Sequence, residues 1–266
     1  MRKNQLRELF NEGRPAIAAG VHIPWPAIAE LVGYTGVYDY IEFRGEYSSW
    51  DLHDLDNIAR AIDLVGTSSM FKVERQNNGF IAQRALGAGF QNLLFADLKT
   101  ADEVQEAVAF VKPDTPQHGG LTGCHARRCV RYFLDEGSPE FVQAMDDVVI
   151  GIMIEKREAV DNIEQILAVE GIDMLQFGPG DYSMSIGKPK QWADPEVKET
   201  ETRIINMALE RGLRVRMEFA TLPSEDTLKE YLDRGIKDFC VDADVVAIYN
   251  WFKEKGDDLR KIVTPT

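Results

Sequence analysis

Positive charge is scarce in this chain of 266 residues: 30 Lys and Arg stand against 44 Asp and Glu, a net charge of −14. Nucleic acid and anionic membrane both call for a basic surface, so neither is expected as a partner. Cysteine is scarce as well. Cys124, Cys129 and Cys240 are odd in number and form no C-x-x-C pair, which fits reduced thiols and a cytoplasmic protein. Cys124 and Cys129 sit near His118 and His125, but at a spacing foreign to the common structural zinc sites. No apolar run approaches the roughly 18 residues of a membrane span. The N-terminal MRKNQLRELFNEGRP reads as a short amphipathic helix without the apolar segment of a secretory leader. No Pro-rich, Gly/Ser-rich or polar stretch reads as a linker, so residues 1–266 are expected to form a single domain.

What is present is an ordinary globular composition, 44% apolar and 28% charged, enough for a core without disulfides. Eight short apolar or β-branched runs read as strands: 16–21, 38–43, 69–74, 91–96, 148–154, 173–178, 213–219 and 237–242. Segments such as 51–64, 79–87, 100–111, 159–169, 195–211 and 224–234 carry apolar residues at helical spacing between them. Strict alternation of this kind means parallel strands, and eight units close into an α/β architecture of one (β/α)8 TIM barrel. A doubly wound open sheet is the competitor, but it usually opens with a Gly-rich nucleotide loop, and none follows the first strand. Residues 113–145 interrupt the alternation with a Gly-rich, basic stretch that reads as a long loop, either functional or a surface excursion.

In such a barrel the residues after each strand face one mouth, where active sites lie. Here they include His22, Arg44, Glu46, Tyr47, Lys72, Glu74, Arg75, Asp97, Glu155, Asp181, Ser183, Glu218, Asp242 and Asp244. So many carboxylates need a cation, either a metal or basic side chains. Glu155 ends the otherwise uncharged strand VVIGIMIE, and Asp181 sits in FGPGDYS, where Gly178 and Gly180 allow close backbone approach and Pro179 stiffens the turn. Two carboxylates on adjacent strand ends are a usual way to hold Mg2+ or a similar ion. From spacing alone, Glu155 as a helix cap and Asp181 as a turn former fit equally well.

The stretches MIEKREAVDNIEQILAVEGIDMLQFGPGDYSMSIG (153–187) and LLFADLKTADEVQEAV (93–108) resemble the metal-dependent 2-oxo-acid aldolases of the HpcH/HpaI aldolase and citrate lyase family. The resemblance runs through most of the chain and is specific around 153–187, where strand, Glu, helix, strand and Gly-Pro-x-Asp-x-Ser keep their spacing. It implies a divalent metal, Mg2+ with Mn2+ or Co2+ as alternatives, held by Glu155 and Asp181 on the carboxylate and ketone of a pyruvate unit. It places Glu46 beside metal-bound water, and Gly178, Pro179 and Ser183 around the pyruvate carboxylate. It also implies a homo-oligomer, a hexamer or trimer, with the C-terminal helix packed on a neighbouring subunit; that segment carries Val246, Ile248, Tyr249, Trp251 and Phe252.

The chain departs from the family at the proton-transfer groups. The family's Asp-Gly-Glu-His after strand two reads Arg44-Gly45-Glu46-Tyr47, and the acid that pairs with that histidine falls at Gly87. The arginine that steadies the enolate aligns with Lys72, with Arg75 close by, and the Arg-Gly of the long loop reads Gly119-Gly120. Lysine keeps the charge but loses the bidentate fork. Tyr47 is a poor base, with a reference pKa of about 10. His22, His118 and His125 are the candidate replacements, and His22, one residue past a strand, is the best placed. Arg44, Arg75 and residues 113–135 are expected to shape the specificity end of the pocket. The expected activity is therefore metal-dependent carbon–carbon lyase chemistry on a small 2-oxo acid through a pyruvate-type enolate, poor toward ordinary aldol substrates. Decarboxylation or hydrolysis of a related acid, or non-catalytic binding of metal and 2-oxo acid, are the alternatives.

Overall fold

The structure is a computed structural model describing residues 2–241 and 243–264; Asp242, one of the expected mouth carboxylates, lies outside the described residues. Eight parallel strands close into a barrel in sequence order: β1 Ala16–Val21, β2 Tyr40–Phe43, β3 Ser68–Val73, β4 Asn92–Phe95, β5 Val149–Ile154, β6 Met174–Phe177, β7 Arg214–Phe219 and β8 Asp238–Val241. β8 closes on β1 with Ala16 opposite Asp238. Each expected strand is present: β1 keeps its expected bounds, β3 lies one residue earlier than expected, and the others are one or two residues shorter.

The helices are α1 Gln5–Asn11, α2 Pro26–Tyr34, α3 Leu52–Leu64, α4 Asn78–Ala88, α5 Ala101–Val111, α6 Pro139–Asp146, α7 Arg157–Asp161, α8 Ile163–Ile166, α9 Pro179–Ser185, α10 Pro195–Glu210, α11 Glu225–Asp233 and α12 Asp244–Val263. The helix expected over 159–169 divides at Asn162, whose backbone leaves helical geometry while its side chain donates to the Lys99 carbonyl at 3.0 Å. Within the chain α12 has no buried residue, and Tyr249, Trp251 and Phe252 stay exposed.

Alternation along the strands sorts the side chains. Phe71, Leu93, Ile150 and Ile154 point outward into the layer between barrel and helices. Tyr40, Met70, Leu94, Val149, Met153 and Met174 fill the inside, and Leu6 and Leu9 of α1 pack against them as a plug. The same parity carries Glu42, Lys72, Glu155, Gln176 and Arg216 inward, all at most 4% exposed. On β2, β5 and β6 the inward residues thus run from apolar at the plugged end to polar at the mouth, whereas β4 and β8 begin with the buried polar Asn92 and Asp238. The period of two, rather than local composition, aims these charges at each other.

The stretch 113–145 is less of a loop than expected, because α6 occupies its end. It also lies away from the mouth. It joins the end of α5 to the start of β5, and Arg128 donates to the Ala88 carbonyl at the end of α4. Arg128 and Cys129 border one cavity with Asn4, Arg7, Gln91 and Val148, at the starts of the strands. A role for 113–135 at the specificity end of this chain's own mouth is therefore not what the fold provides.

Candidate active site

Two clusters of charge fill the mouth. On the β2–β7 flank, Arg44 Nε donates to Glu42 Oε1 at 3.1 Å and Arg44 Nη2 reaches Glu218 Oε1 at 2.9 Å. Gln176 Nε2 donates to Glu218 Oε2 at 3.0 Å, Arg216 donates to Gln176, and Arg216 pairs with Glu42. The five side chains close a ring in which two carboxylates face two guanidiniums. Burial opposes ionisation of Glu218, but Arg44 and Arg216 outweigh it and hold its carboxyl below the ordinary range. Arg44 is 5% exposed and spent on this ring, so the structure does not present it as a substrate-facing guanidinium.

The opposite flank is built on Lys72 and Glu155. Lys72 Nζ lies 2.7 Å from Glu46 Oε2 and donates to the Tyr47 hydroxyl at 2.9 Å. Burial works against the ammonium, but Glu155, Tyr47 and Glu46 together raise its pKa. Lys72 is therefore a fixed cation, not a proton carrier, at neutral pH. The half-exposed Tyr47 has its phenol pushed up to about 12 by desolvation, against the pull of Lys72. It stays protonated, and because Lys72 donates to its oxygen, its own proton is left to point at a substrate.

Glu155 is 2% exposed. Its Oε1 accepts the Asp97 backbone N–H at 2.9 Å, and a Cβ added at Gly178 would fall 2.6 Å from its Oε2. Only glycine lets β6 close over this carboxylate. Burial raises Glu155 to about 7, while Lys72 and the Asp97 N–H pull it down. An acid so placed ionises readily only when more positive charge arrives. Asp181, in the first turn of α9, meets Lys156 Nζ at 2.7 Å, and Lys156 Nζ is also 2.7 Å from Asp97 Oδ1. Hard carboxylate oxygens on Glu155 and Asp181 suit Mg2+ or Mn2+. Among the described residues no three His, Cys, Asp or Glu side chains gather as a ligand group. Water and substrate would have to complete such a shell.

The remaining expected residues fall as follows. His22 stacks on Tyr47, ring centroids 5.7 Å apart, with Nδ1 3.8 Å from Asp244 Oδ1. Asp244 also accepts the backbone N–H groups of His22 and Ile23, at 2.8 and 3.0 Å. His118, 3.7 Å from Asp146, and His125, 3.4 Å from Cys129 Sγ, belong to the excursion at the other end of the barrel. Of the three candidate bases only His22 is at the mouth. Arg75 turns to Glu103 of α5 at 2.5 Å. Ser183 is fully buried and donates to the Gly180 carbonyl at 2.8 Å, while Gly178 and Pro179 open α9. Gly87 lies under the Arg127 side chain: a Cβ there would be 2.3 Å from Arg127 Cδ. Lys156, which ties Asp97 to Asp181, was missed from the sequence. Its position directly after Glu155, among unbalanced acids, was the available signal.

A family model for HpcH/HpaI aldolase/citrate lyase matches residues 26–246. The 5-keto-4-deoxy-D-glucarate aldolase of Escherichia coli O157:H7 (strain EC4115 / EHEC) is 26% identical over 237 residues, covering 89% of each chain. Among solved structures, an HpcH/HpaI aldolase/citrate lyase family protein from Burkholderia cenocepacia J2315 superposes with a TM-score of 0.85 at 23% identity, covering 97% of this chain and all of that one. The citrate synthase SbnG superposes with a TM-score of 0.80 at 22% identity, covering 97% and 98%. With the match spanning most of the barrel, the chain belongs to the HpcH/HpaI aldolase/citrate lyase family and stands among its aldolase-like lyases.

Proposed function

We propose that this protein is a divalent-cation-assisted carbon–carbon lyase that works through a pyruvate-type enolate of a small 2-oxo acid. The observation that carries the proposal is Lys72, a cation 4% exposed at the mouth and facing Glu46, Tyr47 and Glu155. A fixed positive charge in a water-poor pocket stabilises an anion that forms beside it. A cation held by Glu155 and Asp181 would add Lewis-acid charge against the same developing enolate. Glu46 holds Lys72 in place. Tyr47 keeps its proton and offers it to a carbanion or oxyanion. His22, aligned by Asp244 and stacked on Tyr47, is the group left to accept a proton.

Gly178 and Pro179 set the backbone beside Glu155, and Ser183 braces their turn. Arg75, exposed at the rim, is free to exchange Glu103 for a distal substrate carboxylate. The 26% identical aldolase supports a 2-oxo acid with a carboxylate at its far end. Loss of an oxaloacetate-type carboxylate needs no hydroxyl proton removed, whereas retro-aldol cleavage does.

Purified protein with Mg2+, Mn2+ or Co2+ should therefore release pyruvate from oxaloacetate above the metal-only background, and Glu155→Gln should abolish the excess. Cleavage of a 4-hydroxy-2-oxo acid should be about 10²–10⁴-fold slower than with a dedicated base, and slower again in His22→Gln. No pyruvate above background would sink the enzymatic assignment and leave a binding protein. Fast cleavage indifferent to His22→Gln would place the base elsewhere.

A further inference from the structure

Asp97, Lys156 and Asp181 make a contact that the cleavage chemistry does not require. Asp97 is held at a left-handed φ of 60°, a conformation non-glycine residues seldom adopt. In it, the backbone N–H of Asp97 is committed to Glu155 and its carboxylate to Lys156. Lys156 then reaches Asp181 Oδ1 from the next strand end, at 2.7 Å. The groups run in series, Glu155, Asp97, Lys156, Asp181, with one ammonium bridging the carboxylates of Asp97 and Asp181.

The geometry points to Lys156 as a built-in counter-cation that competes with a divalent metal for Asp181, so that loading the site requires Lys156 to withdraw toward Asp97. The inference rests on Glu155 and Asp181 being the metal's ligands, as proposed above. An ammonium and a divalent ion satisfy the same carboxylate by the same means, positive charge against oxygen, and they repel each other when both are close. Exposure separates Lys156 from Lys72. The Lys72 side chain is 5% exposed and locked, whereas Lys156 is 21%, Asp97 27% and Asp181 38% exposed. Ion pairs partly open to water exchange partners more readily than one buried as Lys72 is. Asp97 gives the displaced ammonium a resting partner, and the four-carbon stem of lysine lets it swing without moving β5. Without metal, Lys156 keeps the acids from repelling one another; with metal, it gives up Asp181.

Mn2+ binding followed by the electron paramagnetic resonance of the free ion tests this without any reaction. Wild type, Lys156→Met, Lys156→Gln, Lys99→Met and Glu155→Gln are compared, with Asp181→Asn made in the wild type and in Lys156→Met. Lys99 serves as control because it pairs with Glu158 at 3.3 Å on the same side of the barrel. Both Lys156 variants should bind Mn2+ at least about tenfold more tightly, Lys99→Met less than twofold, and Asp181→Asn should erase the gain. Unchanged affinity in both Lys156 variants, with binding still lost in Glu155→Gln and Asp181→Asn, would overturn the competition and leave the metal site standing. An equal gain in Lys99→Met would reduce it to general charge and overturn it too. Mn2+ binding absent throughout, or indifferent to Glu155 and Asp181, would remove the metal site and the inference together.

Discussion

On the β2–β7 flank of the mouth, Glu42 and Glu218 meet Arg44 and Arg216 in a closed ring whose charges cancel. On the β3–β6 flank, Glu46, Glu155, Asp97 and Asp181 meet, among the described residues, the ammoniums of Lys72 and Lys156. The first flank uses guanidiniums, whose planar forks satisfy two carboxylates at once and cannot lose a proton. The second uses ammoniums on flexible stems and leaves Glu155 raised to about 7. One flank is finished as a scaffold; the other has acid to spare, and spare acid is what a cation or a substrate can use. The difference also explains why an arginine at position 44 is no substitute for a catalytic one. It is neutralised where it stands.

The comparison breaks most visibly at Arg216, which is fully buried. Arg216→Met leaves Glu42 and Gln176 facing a methyl group, and stranding one member of a buried ion network costs about 3–5 kcal/mol. Urea unfolding should show that loss; a change under 1 kcal/mol would mean the ring is not the scaffold described.

Glu155→Gln tests the other flank through pH. The carboxyl's folded pKa, about 7, lies above its ordinary 4.5, so the protonated form is the one folding favours. Its contribution is complete below about 4.5 and is lost as pH rises through about 7, a span worth up to about 3 kcal/mol. In metal-free buffer, wild type should therefore weaken relative to Glu155→Gln over that window, and parallel stability curves would contradict it. The smallest effect is expected for Tyr47→Phe, which keeps the ring on His22 and removes one hydroxyl. Water replaces it at this half-exposed position, so kcat should fall about tenfold with stability unchanged. A fall of a thousandfold would make the phenol indispensable.

Much of the fold was legible because it rests on repetition. Eight apolar runs separated by helical spacing predict a closed parallel barrel, and parity along VVIGIMIE already turns Glu155 inward. The approximate site was legible for the same reason, since strand ends must converge. Pairing was not. Nothing in Arg44-Gly45-Glu46-Tyr47 says that Arg44 faces Glu218 of β7 while Glu46 faces Lys72 of β3, because these partners are set by the barrel's closure. The position of 113–145 was misjudged for a related reason. Its length and basic residues suggested a role at the mouth, but a segment that follows a helix returns to the starts of the strands. The division of the helix at Asn162 turns on a single side chain reaching Lys99.

The Arg127 side chain lying over Gly87 has a consequence for the order in which this barrel accepts change. A Cβ at position 87 would fall 2.3 Å from Arg127 Cδ, so any side chain there requires the Arg127 side chain to move aside. Arg127 is held by a 2.5 Å bond to the Gln83 carbonyl, and swinging it away gives up that bond. Substitution at 87 is easier once Arg127 has been shortened, which couples the two positions. A library that varies position 87 should therefore vary 127 with it.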